Sequence, residues 1–351
     1  MKVYLNASAQ ISIQEPLSEA WFASPLFHDR RLVQAVEPDY KPFVNPMAAR
    51  RMGKLLKRAI ATAKSAILQA GNPTIDAVIT GTGLGCIANT EHFLSAMVKE
   101  GEEFLQPTYF MQSTHNTVSS QIALQLVCRG YNNTYTQLGA SFESALLDAF
   151  MLVSNGHCQH VLVGGHDEMT PDYFNMLDKA RFWKKGEVNS EVLRQADTEG
   201  SFAGETAASF VLSAQKQRET ICCLAAVDML YRPTMERLQV AVNQMLSANG
   251  LCADDVDLVM IGANGDSRYD GQYHQFCSQL FAGKSVAWYK HLFGESYTSA
   301  ALGLHAAAAC MRNQSVPDFL LYNAQKVEKV RNILIYNHYQ NKCEVKHLYH
   351  Y

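Results

Sequence analysis

The segment YTQLGASFESALLDAFMLVSNGHCQHVLVGGHDE, Tyr135 to Glu168, constrains the fold more than any other part of the chain. A strand near Thr134–Gln137 enters a sharp turn, Leu138-Gly139-Ala140-Ser141. A helix over Glu143–Asn155 follows, mostly apolar, then a strand over His160–Val163 closed by Gly164-Gly165. A helix with so little polar surface belongs inside a molecule. Strand, turn, buried helix and strand make the repeating unit of a layered α/β protein. The tip of such a helix is also a good place for a nucleophile, because the helix dipole favours negative charge there. Here the tip carries glycine, which has no side chain to react.

The rest of the chain follows the same alternation. Val3–Leu5 reads as a strand, Met47–Ala70 as one long helix stopped by Gly71-Asn72-Pro73, and Ile75–Thr80 as a buried strand closed by GTGLG (Gly81–Gly85). Helices are expected near Thr90–Val98 and over Asn116–Leu126, separated by an aromatic connector, Phe104–His115. Asp167–Thr198 has few periodic features, and a stretch that long points to a functional or interfacial excursion. A turn and strand follow over Gly200–Ala214.

The second part repeats the pattern. Strands are expected at Cys222–Met229, Val256–Gly262, Val286–Tyr289, Phe319–Tyr322 and Ile333–Asn337, and helices at Met235–Ala248, Tyr269–Leu280 and Ser296–Met311. The recurrence suggests an internal duplication, with halves 1–215 and 216–351.

Composition excludes several classes. A net charge of −3 over 351 residues, without basic blocks, gives no footprint for nucleic acid. No apolar run reaches the roughly 18 residues of a membrane span, and the start has no apolar segment like that of a secretory signal. Nine cysteines without a CxxC pair suit reduced thiols in a cytoplasmic protein. The twelve histidines have no metal-binding spacing, so neither metal nor cofactor is expected.

Eight pieces in order, RRMGKLLKRAIATAKSAI, GTGLG, STHNTVSSQIAL, LGASFESALLDAF, LVGGHDE, FAGETAASFVLS, GANGDS and YKHLFGESYTSAALG, resemble the β-ketoacyl synthases of the thiolase fold over nearly the whole chain. The resemblance implies two similar βαβαβ halves in a layered α-β-α-β-α core. In that family a cysteine at the helix tip carries the acyl group as a thioester, and two loop histidines assist decarboxylation and stabilise the enolate.

Matched residue by residue, Gly139 stands at the cysteine, Asn264 at the first histidine and Glu295 at the second, with Lys290 and Gly294 of the second motif retained. Gln137 stands at the cysteine only if the register shifts by two residues. The family's glycine-rich gating loop is matched to Gln325–Lys329. Cys86, at the start of a helix, is read as a buried structural thiol. His166 and Asp167 are read as scaffold hydrogen-bonding groups, and His115 as a further histidine flanking the site in sequence.

Members lacking the triad resemble chain-length factors, the second subunits of ketosynthase heterodimers. The resemblance then implies an active ketosynthase and an acyl carrier protein as partners. Tyr109, Phe110, Met111 and Gln112 would line the partner's acyl channel, and ordinary core packing of these residues is an equal alternative. The basic run Arg50–Arg58 would face the carrier protein or be a solvated helix face. The compact length resembles subunits of aryl-polyene or flexirubin-type clusters. Two other readings stay open: an active acyl-thioester enzyme, either a synthase or a malonyl-carrier-protein decarboxylase with atypical residues, and a homodimeric acyl-binding protein.

Overall fold

The computed structural model describes residues 1–101, 105–195, 197–339 and 343–350, the last as backbone. Phe104 of the aromatic connector and the side chain of Cys343 lie outside the described residues. The first run of elements is β1 (Val3–Ile11), α1 (Pro46–Ala49), α2 (Lys54–Gln69), β2 (Ala77–Gly81), α3 (Ile87–Glu100), α4 (Pro107–Ser113), α5 (Thr117–Leu126), β3 (Tyr131–Tyr135), α6 (Ser141–Ser154), β4 (His160–Asp167), α7 (Pro171–Lys179) and β5 (Thr206–Ser213). The second is β6 (Cys222–Tyr231), α8 (Met235–Ala248), β7 (Leu258–Ile261), α9 (Asp270–Leu280), β8 (Ser285–Trp288), α10 (Lys290–Phe293), α11 (Ala300–Asn313), β9 (Asn332–Tyr339) and β10 (Cys343–His350).

These strands form one ladder, β3-β2-β4-β5-β1-β6-β10-β9-β7-β8. Outward from the β1–β6 seam the order is β1-β5-β4-β2-β3 on one side and β6-β10-β9-β7-β8 on the other, the same path taken twice. Strand directions repeat too: β2 is parallel to β3 and β4, and β7 to β8 and β9, while the remaining pairs are antiparallel. The repetition reaches single side chains. Asp76, just before β2, accepts hydrogen bonds from the backbone N–H of Gln159 and His160 at 2.8 and 2.9 Å. Asp257, just before β7, accepts them from Arg331 and Asn332 at 2.8 and 2.9 Å.

The ladder folds back around α6 and α11. Apolar side chains alternate between its faces, as the period of two requires. In β7, Leu258 and Met260 join the inner core with α6 and α11, while Val259 and Ile261 join the outer core with α8 and α9. In β2, Ala77 and Ile79 face inward and Val78 faces the α2–α5 layer. In β1 a bulge between Leu5 and Ala7 swaps faces, sending Val3 and Leu5 to the inner core and Ala7 and Ala9 to the outer one. The expected five layers, α-β-α-β-α, result.

Several boundaries differ from expectation. The helix expected over Met47–Ala70 breaks at residues 50–53, and within its second part Arg58 is 1% exposed. Its guanidinium pairs with Glu37 at 2.6 Å and Glu205 at 3.1 Å, so the basic run is not one solvated face. Phe319–Tyr322 is a short 3-10 turn (Asp318–Leu320) with one bridge, Leu321 to Ala287, because the N–H groups of Leu320 and Leu321 bond to the Pro317 and Asp318 carbonyls at 2.9 and 3.1 Å instead of to a strand. The excursion contains α7, whose N-terminus is capped by the Thr170 hydroxyl. β10 follows β9 as an unforeseen strand.

Candidate functional site

The candidate site lies where loops leave the carboxyl ends of β2, β7 and β8, the usual position for chemistry on an α/β sheet. Gly81 ends β2 against the first turn of α6, where a Cβ would overlap the Ser141 carbonyl. The GTGLG loop beyond it is held by Asp167 at the end of β4. That carboxylate accepts from the Thr82 hydroxyl at 3.0 Å and the N–H groups of Gly83 and Leu84 at 2.9 and 3.0 Å. Burial pushes its pKa up to about 6 despite these donors.

Asn264, Glu295 and Lys290 come together as one network. Asn264 Nδ2 donates to Glu295 Oε2 at 2.6 Å, and Lys290 Nζ donates to the same oxygen at 2.8 Å. Ser299 Oγ donates to Glu295 Oε1 at 2.9 Å. Both carboxylate oxygens are thus engaged within the chain. The Asn264 loop is fixed in turn by Asp270, which accepts from the N–H groups of Asn264 and Gly265 at 3.2 and 2.7 Å and whose pKa burial raises to about 6. Lys184, from the excursion, donates to the Gly265 carbonyl at 2.8 Å.

Gly139 is buried in the 3-10 turn before α6. The ring of Tyr339, at the end of β9, occupies the space that a side chain on Gly139 would need. Tyr339 also borders the cavity between Asn264 and Glu295, which is closed in further by Phe182, Tyr269 and His338. The cavity has about 30 Å³ of room, enough for one or two waters.

No signal in the sequence pointed to Tyr339, because its contact with Gly139 joins the two halves of the chain. The expected gating segment, Gln325–Lys329, is a correction: it lies on a surface groove with Asp257 and Lys284, away from this cavity, since it precedes β9 rather than following it.

The remaining expected residues fall as follows. Gln137 accepts from the Ser144 hydroxyl and caps no reactive position. Cys86 is buried, and burial together with the neighbouring Glu168 carboxylate pushes its thiol up to about 12, which keeps it protonated. His166 is fully buried, and burial lowers its pKa to about 3. His115 is exposed in the loop before α5. Phe110 and Met111 on α4 are 56% and 62% exposed. The ring of Tyr109 lies 5.4 Å from that of His92, tilted by 35°, and Gln112 turns inward, accepting from Gly53 N and Asn89 Nδ2 at 3.2 Å each. Among the described residues no group of three His, Cys, Asp or Glu side chains could share a metal ion.

A layered scaffold with this loop geometry is the condensing-enzyme type of α/β protein. Residues 20–239 match the family model for the β-ketoacyl synthase N-terminal domain, and the chain belongs to the β-ketoacyl synthase family. It is 27% identical over 133 residues to 3-oxoacyl-[acyl-carrier-protein] synthase 2 of Synechocystis sp. (strain ATCC 27184 / PCC 6803 / Kazusa). That match takes in 36% of this chain and about a third (32%) of the relative's length.

The fold is similar to that of a β-ketoacyl synthase from Burkholderia phymatum STM815, with TM-score 0.84, 14% identity and 99% of each chain covered. It is also similar to the ishigamide ketosynthase/chain length factor, with TM-score 0.80, 15% identity and coverage of 99% of this chain and 98% of that one. A ketosynthase in complex with its chain length factor from Xenorhabdus doucetiae gives TM-score 0.77, 15% identity and the same coverages. The fold is therefore thiolase-like, as expected.

Proposed function

We propose that this chain is the non-catalytic, chain-length-factor subunit of a ketosynthase heterodimer in fatty acid or polyketide synthesis, of the aryl-polyene type. The observation that carries the reading is the engagement of Glu295. At a position that must stabilise a developing enolate stands a carboxylate, paired with Lys290 and hydrogen-bonded by Asn264 and Ser299. A negative group there opposes a second negative charge. Gly139 supplies no nucleophile, and the space above it belongs to Tyr339.

The outer face of β3 supports a role in assembly. It is one edge of the ladder, β8 being the other, with a backbone row open to another strand. Phe110 and Met111 stand exposed on α4, which packs against α5, the helix beside β3. An isologous-like pairing through β3 would bury them against a partner and put them in reach of its acyl channel. Arg50, Arg51 and Lys54 are exposed before and at the start of α2 and would suit an acidic carrier protein.

The test is co-expression with an active ketosynthase from the same organism, followed by native mass spectrometry. The expected species is a one-to-one complex. A stable homodimer that ignores the ketosynthase would overturn the reading. In that complex, Phe110→Ala or Met111→Ala is expected to lengthen the products, as chromatography of the released chains would register.

A further inference from the structure

Two glycines border the site, and each seats a tyrosine from the second half of the chain. Gly139 seats Tyr339, as described. Gly83, in the β2–α3 loop, seats Tyr297: a Cβ on Gly83 would lie 2.5 Å from both Cβ and Cγ of that tyrosine. The rings of Tyr297 and Tyr339 are 5.7 Å apart at 56°. The Tyr297 hydroxyl meets that of Tyr173 on α7 at 2.9 Å. Burial raises the pKa of both Tyr297 and Tyr339, so both stay neutral phenols.

Five segments thus take part: α7, the α10–α11 loop and the end of β9 supply the rings, and the β2–α3 loop and the turn before α6 supply the seats. Tyr297, held at both its face and its hydroxyl, is costly to displace, because the ligand would have to break packing and a hydrogen bond together.

We propose that Tyr173, Tyr297 and Tyr339 plug this chain's own acyl tunnel and so decide which protomer holds a thioester-borne acyl chain, namely the partner. The proposal rests on the reading of this chain as a non-catalytic subunit and adds the residues that enforce it. Its physical basis is the pairing of each bulky ring with a glycine. The absence of a side chain at residue 139 and the ring at residue 339 are two sides of one packing solution. The residual 30 Å³ admits water but no acyl chain.

The test titrates decanoyl-pantetheine into the full-length chain and its variants. Wild type is expected to give no saturable binding, and Tyr339→Phe, which keeps the ring, the same. Tyr339→Gly is expected to bind saturably, with an affinity at least about tenfold above the detection limit of the wild-type titration. In parallel, iodoacetamide should alkylate the introduced thiol of Gly139→Cys/Tyr339→Gly at least about tenfold faster than that of Gly139→Cys, with peptide mapping to separate it from the native cysteines.

Saturable binding by wild type, or equal labelling of the two folded cysteine variants, would overturn the plug. The wild-type titration needs no variant to fold, so the proposal stands or falls even if Tyr339→Gly does not. The assembly is read separately by native mass spectrometry. A heterodimer whose isolated subunit binds the probe would sink the plug alone, and a closed chain that ignores the ketosynthase would sink the assembly alone.

Discussion

At the scale of single residues, the network around Glu295 determines how tolerant the site is. Lys290 and Glu295 have side chains only 5% and 15% exposed. Removing one member of such a pair strands the other charge, so Lys290→Met is expected to destabilise the chain by about 3 kcal/mol. Lys290→Met/Glu295→Leu should recover most of that loss, as urea unfolding followed by circular dichroism would measure. A double variant no better than the single one would mean that the pair does not set the stability of this corner.

Glu143, in the first turn of α6, is fully buried and accepts from Asn337 Nδ2 at 3.1 Å. Burial pushes its pKa up to about 7. A carboxyl with a raised folded pKa holds its proton better in the folded state. The stability it contributes is therefore present at low pH and lost as pH rises through the window from the unfolded value toward 7. Glu143→Gln should gain stability relative to wild type between pH 5 and pH 8, and a pH-independent difference would contradict the assignment.

Asn264, Lys290 and Glu295 were legible through the family resemblance, because the Asn264 loop and the Lys290–Glu295 segment are each short and continuous in sequence. Tyr339 was not, since its role depends on β9 ending opposite the turn before α6, a contact that no local pattern encodes.

At the scale of elements, the strongly periodic pieces were legible and the short or broken ones were not. α6, α8 and α9 follow from their apolar spacing to within a few residues. The break between α1 and α2 escaped because the apolar pattern runs through it, while Gly53 becomes the start of a new helix. Gly53 is held there by Gln112 from α4, a contact 59 residues away in sequence. The excursion showed few periodic features because α7 has only nine residues, too few for its apolar side to repeat.

The clamps of Asp76 and Asp257 make a prediction at this scale. Each carboxylate satisfies two backbone donors at the start of a strand, so Asp76→Ala and Asp257→Ala should each cost about 1–3 kcal/mol. Similar losses for the two in denaturant unfolding are expected from their equivalent positions. A large cost for one and none for the other would break the equivalence.

For the whole molecule, opposing buried groups shape the pH profile. Burial lowers His166, His291 and His338 to about 3 and His305 to about 4. Their neutral form belongs to the folded state, so stability is lost as pH falls from the unfolded histidine value, near 6.5, toward 3. The raised carboxyls, Asp167 and Asp270 at about 6 and Glu143 and Glu168 at about 7, act in the other direction between roughly pH 4 and pH 7. The melting temperature should therefore change little from about pH 4.5 to 6.5 and fall steeply below about pH 4. A steady decline from pH 6.5 downward would mean that the carboxyls do not offset the histidines.

The shared central layer also affects how the chain is made. β1, β4 and β5 turn apolar residues toward α11, yet α11 begins at Ala300, long after β5 ends at Ser213. At translation rates of roughly 5–20 residues per second, that interval lasts about 4–17 seconds. Throughout it a nascent first half carries an incompletely covered inner face. The sandwiched helix that unites the finished protein thus makes its synthesis a period of exposure, in which a chaperone can reach the first half before its own last helix does.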